Sequence, residues 1–80
     1  MGAKQAVVDR IQSLCAQKGI AVNSLANLSG LTPSTVYSLM DSRRKDVGIL
    51  TIKKLCDGLG VTLGEFFSTE EFDRLEQEIK

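Results

Sequence analysis

The sequence predicts an all-α protein: a compact bundle of five helices followed by a short C-terminal helix. Three observations predict this class. Apolar residues recur at three- and four-residue spacing along nearly the whole chain, glycines directly follow several of these segments, and no alternation of apolar and polar residues indicates a strand. The 80 residues are enough for one domain with a single small hydrophobic core.

The first helix is predicted over residues 4–17. Val7, Ile11 and Leu14 fall on one face of it, which is the face expected to pack on the core. Gly19 follows and provides a stop, because glycine readily takes the left-handed conformation in which many helices end.

The next segment meets the requirements of two short helices that cross at a steep angle. Helix two, residues 22–29, carries the small Ala26 where a following helix must pass close, and Gly30 can make a tight reversal. Thr32 is a good N-cap for helix three, residues 33–40, which begins with a proline. This arrangement is a helix-turn-helix, whose second helix lies in the major groove of DNA.

Two further helices complete the predicted bundle. Residues 41–48 are polar and charged and indicate a loop, and residues 51–59 form helix four with an apolar face. Thr62 and Glu65 then have the spacing of a capping box, in which each residue binds the backbone N–H of the other, and they open a short fifth helix.

The C-terminal segment is predicted to be an acidic, amphipathic helix. Ser68 and Glu71 have capping-box spacing and would open a helix over residues 69–79. Its apolar stripe consists of Phe72, Leu75 and Ile79. We therefore divide the chain into a helix-turn-helix domain, residues 1–68, and a C-terminal helix, residues 69–80.

The net charge is zero at neutral pH, but the charges are unevenly distributed. Residues 1–55 hold eight basic and three acidic residues, a surplus of five positive charges. Residues 56–80 hold seven acidic and two basic residues, which reverses the balance. Because the local field governs attraction to phosphate, a nucleic-acid partner is compatible with this composition.

The residue types make an enzyme a poor hypothesis. There is no histidine, no glycine-rich phosphate loop and no cluster of metal-ligating residues, so we expect no catalytic site, no metal and no cofactor. Cys15 and Cys56 lie among apolar helix residues and are expected to be buried and reduced. With no membrane-spanning run and no signal-peptide pattern, a cytoplasmic location is expected.

Four segments of the chain carry a longer pattern. They are Lys18-Gly19-Ile20, Ser24-Leu25-Ala26-Asn27-Leu28-Ser29-Gly30-Leu31-Thr32, Val36-Tyr37-Ser38-Leu39 and the stretch from Ile52 to Phe67. Together they resemble the Xre-type family of phage-repressor and Cro-like helix-turn-helix domains, over about Val8 to Phe67. The resemblance implies a lambda-repressor-like bundle, DNA binding, homodimers and transcriptional regulation.

This chain departs from the family pattern at two places within the domain, and its acidic tail after Phe67 lies outside that pattern. Many members end helix three with Asn-Gly, where this sequence has Asp41-Ser42. Many open helix two with a polar amide that touches phosphate, where this sequence has Val22. The neighbouring Asn23 is then the substitute candidate for that contact.

The residues predicted to contact DNA lie on and around helix three. Val36 and Leu39 face inward, which leaves a polar outward face whose hydroxyls can bond to base edges, and a basic run follows that can contact phosphates. The predicted set is Asn23, Thr32, Ser34, Thr35, Tyr37, Ser38, Arg43, Arg44 and Lys45. The alternative is that these are ordinary solvent-facing positions, and that Tyr37 packs on the domain surface instead of reading bases.

The sequence favours two classes of function. The first is a small dimeric transcriptional regulator, with a repressor favoured, that binds double-stranded DNA at a palindromic operator. The second is an adaptor that uses the same fold to bind another protein, such as an antitoxin-like partner binder, through the C-terminal tail. The segment Leu63 to Ile79 is expected either to contribute to a homodimer interface or to fold back on its own subunit.

Overall fold

The computed structural model describes residues 2–79, which form six helices and no strand. The helices are α1 (Ala3–Lys18), α2 (Val22–Leu28), α3 (Pro33–Met40), α4 (Ile49–Leu59), α5 (Leu63–Phe67) and α6 (Glu70–Asp73). The all-α class and the order of the elements are as predicted, and α1, α2 and α3 differ from the predicted bounds by at most one residue at each end.

One hydrophobic core joins α1 to α5. Its members are buried side chains at helical spacing: Val7, Ile11, Leu14, Cys15, Leu25, Leu39, Ile52, Leu55, Cys56, Leu59 and Phe66. The shared core is what makes the short helices possible. Since α2 has only seven residues and α3 only eight, neither would be stable alone in water.

The turn between α2 and α3 has the predicted construction. Gly30 has φ of +68°, a left-handed conformation, and it directs the chain into α3. The Leu31 N–H donates to the Ala26 carbonyl at 2.9 Å, which satisfies one of the last carbonyls of α2. Ala26 itself is only 1% exposed, so its small side chain lies inside the helix packing, as expected.

A second small residue, Gly58, determines how closely α4 approaches the end of α2. A Cβ at Gly58 would lie 2.4 Å from Ser29 Oγ and 3.1 Å from the Leu28 carbonyl carbon. Both distances are shorter than ordinary contacts, so only glycine permits this backbone-to-backbone packing. The sequence pattern indicates a steric constraint at Ala26 but gives no comparable signal for Gly58.

Helix α4 begins two residues earlier than predicted. Gly48 is its N-cap, in an extended conformation, and Ile49 and Leu50 form its first turn. The side chains of Ile49 and Leu50 are 60% and 73% exposed, so they do not extend the inward stripe that located this helix in the sequence.

The predicted C-terminal helix over residues 69–79 is wrong beyond Asp73. Helix α6 has four residues and its N-cap is Thr69, not Ser68, without a side-chain capping bond. Lys80 lies outside the described residues. A helix of the predicted length is marginal in water unless its apolar stripe is packed, and Ile79 at the end of that stripe is exposed.

Phe72 completes an aromatic cluster with two residues of α5. Its ring centroid lies 4.9 Å from that of Phe67 and 6.1 Å from that of Phe66, and the two α5 rings are 4.9 Å apart in an edge arrangement. Helix α6 also packs against α1. The beginning of the tail therefore folds back on its own subunit, whereas Ile79 is 87% exposed.

The two cysteines belong to the core, as predicted. Cys15 and Cys56 are both buried and free. Burial raises the pKa of both thiols, because a thiolate loses its hydration there. They are small apolar core residues, not reactive groups.

The contact at Gly58 leads to a stability prediction. Gly58→Ala is expected to destabilise the fold by about 1–3 kcal/mol through overpacking against Ser29. Gly64→Ala is the matched control, because its added Cβ would meet nothing closer than Thr62 Oγ1 at 3.8 Å. Chemical denaturation of the three proteins measures the difference. Equal midpoints for Gly58→Ala and wild type would contradict the close approach of α2 and α4.

Candidate nucleic-acid interface

The N-terminus of α3 presents a cluster of hydroxyls to solvent. Thr32 caps the helix by accepting the Thr35 N–H at 3.3 Å, and a proline occupies the first turn. Thr32 Oγ1 also lies 3.1 Å from Ser34 Oγ and 2.9 Å from Thr35 Oγ1. Because Val36 and Leu39 are buried on the opposite side, this polar face is fixed outward.

Tyr37 and Asn23 join the exposed sides of α2 and α3. The Tyr37 hydroxyl donates to Asn23 Oδ1 at 3.2 Å. Tyr37 is 62% exposed, so it is not part of the core. Two predicted DNA contacts from different helices are therefore brought together, through a bond that orients both.

Arg44 lies beside the hydroxyl face of α3. With Thr35, Ser38 and Thr51 it lines a small open cleft of about 160 Å³. The loop between α3 and α4 thus folds back along the helix, and it brings Arg44 to the same cleft as two predicted base-reading side chains. This geometry could not be read from sequence separation alone.

Arg43 is held by an acidic neighbour. Its Nε and Nη2 donate to the Asp41 carboxylate at 3.1 and 2.9 Å, and its backbone N–H donates to the same group at 3.0 Å. These bonds keep the pKa of the Asp41 carboxyl below its ordinary value, with smaller contributions from the charges of Arg44 and Lys4. The Arg43 side chain remains 88% exposed.

Lys45 lies in a different and larger cleft. This cleft of about 470 Å³ has both basic and acidic groups in its lining: Lys4, Arg44, Lys45, Asp46 and Glu78. The acidic tail therefore returns to the basic loop at Glu78. The three basic residues of the predicted set do not form one patch, since Arg44 borders both clefts and Lys45 only this one.

Two comparisons with known proteins gave a match. Residues 10–71 match the Cro/C1-type HTH DNA-binding domain. This chain belongs to that family. The crystal structure of prophage Lp1 protein 11 is similar, with a TM-score of 0.84, 30% sequence identity, and coverage of 94% of this chain and 100% of that one. A search of curated proteins gave no match.

The Cro/C1-type domain is a DNA-binding domain. Residues 2–79 contain no group of three or more potential metal ligands. None of the helices in this range combines the length and apolar character needed to cross a bilayer.

Two basic residues that the sequence pattern leaves unassigned have structural partners. The Arg10 guanidinium donates to the carbonyls of Phe66 at 2.8 Å and Glu65 at 2.9 Å, where it supports the end of α5. Lys4 Nζ donates to the carbonyls of Asp41 at 3.2 Å and Arg44 at 3.0 Å. Neither contact has a local sequence signal, because the partners are 37 to 56 positions apart.

The Asp41–Arg43 pair leads to a binding prediction. Asp41→Asn keeps an oxygen for the Arg43 N–H but removes the charge that holds the guanidinium. We expect tighter binding to duplex DNA at low salt, with a log–log salt slope steeper by about 0.9 if Arg43 then binds one phosphate. Fluorescence anisotropy over a salt series measures both quantities.

Asp57→Asn is the matched control for that variant. It also raises the net charge by one and releases a basic partner, Lys53, but on α4. Equal increases in affinity for both variants would show a general charge effect and would contradict a specific restraint on Arg43.

Proposed function

We propose that this protein is a small homodimeric transcriptional regulator that represses transcription by binding a palindromic operator. The observation that carries the proposal is the exposed N-terminal face of α3, with its cluster of hydroxyls and Arg44 beside it. In a helix-turn-helix, this end of the second helix meets the base edges of the major groove.

The side chains available on α3 determine how the operator would be read. Hydroxyls of Ser34, Thr35 and Ser38 can donate or accept, so each tolerates several bases. The Tyr37 ring can contact a thymine methyl group while its hydroxyl bonds to Asn23. No long amide or guanidinium arises from α3 itself, so bridging waters and DNA shape would supply much of the specificity.

The phosphate contacts are proposed for Arg43, Arg44 and Lys45, with Asn23 and the N-terminus of α3 adding polar donors. The loop directly follows α3, and all three basic residues are exposed. Such contacts position the protein on the duplex without reading sequence.

The homodimer is the second part of the proposal, because two half-sites lie about 34 Å apart and require two recognition helices. The predicted interface region already uses Phe66 and Phe72 within its own subunit. Ile49 and Leu50 are the adjacent pair of large apolar side chains left exposed, at the start of α4. We therefore assign the main contact to this pair, and Ile79 at the end of the tail is a second exposed apolar side chain.

An adaptor function is the second candidate, and the same exposed pair favours it. Ile49 and Leu50 could bind a different protein in place of a second copy. A salt titration with mixed duplex DNA separates the two functions, because only the regulator shows salt-dependent DNA binding.

The loop arginines provide the direct test of DNA binding. Arg43→Ala with Arg44→Ala is expected to weaken binding to all duplexes and to lower the salt slope by about 0.9 for each phosphate that the variant no longer binds. Lys18→Ala with Arg74→Ala removes the same charge from positions outside the proposed surface and is the control. Duplexes selected from a random pool serve as the specific ligand. Unchanged DNA affinity and salt slope in the loop variant would show that these arginines do not contact phosphate.

The dimer surface is tested by placing a charge on each candidate face. Leu50→Asp is expected to shift the chain toward monomer in sedimentation at micromolar concentration, because two like charges would meet across a two-fold contact. Ile79→Asp should leave the association unchanged. If Ile79→Asp dissociated the dimer and Leu50→Asp did not, the interface would lie at the tail. A wild-type chain that is monomeric both alone and on DNA would exclude both interfaces.

A further inference from the structure

We propose that Lys4 is a positioning residue of the DNA-binding surface: its ammonium holds the α3–α4 loop in the conformation that directs Arg44 and Lys45 toward phosphates. The inference rests on the proposed function. It assigns a role to a residue of α1, which lies outside the helix-turn-helix and outside the basic run.

The contact is specific and long-range. Lys4 Nζ donates to two backbone carbonyls, that of Asp41 at 3.2 Å and that of Arg44 at 3.0 Å. These carbonyls lie at the two ends of one turn, because the Arg44 N–H also donates to the Asp41 carbonyl at 3.0 Å. One ammonium thus spans the turn that carries Arg43 and presents Arg44.

The position of this ammonium also suits the end of α3. Asp41 is the C-cap of that helix, where carbonyls lack intrahelical partners and the helix dipole is negative. A cation there is favourable, and α3 has no basic residue in its own last turn. Lys4 supplies the charge from α1, so the recognition helix and its following loop are held by the same side chain.

The α3–α4 loop links the Lys4 bonds to the proposed DNA-binding surface. The hydrogen bonds that Arg43 donates to the Asp41 carboxylate act within the loop, whereas Lys4 connects the loop to α1. Arg44 then borders Thr35 and Ser38 beside α3. Loss of the Lys4 bonds would release the Arg44 backbone and lower the fraction of molecules in which its guanidinium is preorganised for phosphate.

A direct contact of Lys4 with phosphate is the alternative to a positioning role. An ammonium has three donors, and Lys4 uses two of them on carbonyls, so the charge could instead contact a phosphate directly. A direct contact contributes independently of Arg44 and Lys45. A positioning role acts through these residues and disappears when they are absent.

A double-mutant cycle tests the proposal. Lys4→Met, which keeps the aliphatic stem, is measured in the wild-type chain and in the Arg44→Ala, Lys45→Ala background, against duplex DNA selected by the wild-type protein. We expect a loss of affinity of about tenfold in the wild-type chain and less than about twofold in the background, because residues of one network are not additive. Lys18→Met removes one charge from the other end of α1 and is expected to change affinity equally little in both backgrounds.

Amide hydrogen exchange of the free protein gives a readout that requires no DNA. Lys4→Met should accelerate exchange of the Arg44 N–H by about two- to tenfold, the effect of losing a part-exposed hydrogen bond, while α4 core amides stay unchanged. Equal losses of affinity in the two backgrounds, or unchanged exchange at Arg44, would overturn the positioning role. Failure of the wild-type chain to bind any duplex would instead overturn the proposed function.

Discussion

The close packing of α2 against its neighbours is the constraint on which the exposed face of α3 depends. At Gly58 the backbone of α4 comes so near to Ser29 that no side chain fits between them. Ala26 gives a similarly small surface within α2. Once α2 is fixed in this way, the left-handed Gly30 leaves only a narrow range of directions for α3. The orientation of α3 is therefore decided by contacts that lie outside its exposed face.

The charges show why a chain of zero net charge can belong to a DNA-binding family. Three basic residues have partners within the protein: Arg10 supports α5, Lys4 binds the α3–α4 loop and Lys53 pairs with Asp57. The basic residues of the α3–α4 loop remain exposed, where their local field can attract phosphate. The exposed ion pair of Lys53 with Asp57 contributes little to stability, so its main effect is on the local charge.

The candidate site was predictable to the extent that it is local. Thr32 as a cap and the outward hydroxyls of α3 followed from the spacing of buried Val36 and Leu39. The bond between Tyr37 and Asn23 did not, since it depends on the angle between two helices. Nor did the neutralising contact of Asp41 with Arg43, because the sequence gives neighbours but not rotamers.

By itself the sequence determined the all-α class, the bounds of α1 and α3, the turn at Gly30 and the capping box at Thr62, because each depends on interactions within a few residues. Only the tertiary structure decided the end of α6. The stripe that begins at Phe72 is compatible with a longer helix, but α6 ends at Asp73 and the end of the stripe at Ile79 stays exposed. The tertiary structure likewise decided which lysines and arginines support the fold and which face outward, since those contacts join residues far apart in the chain.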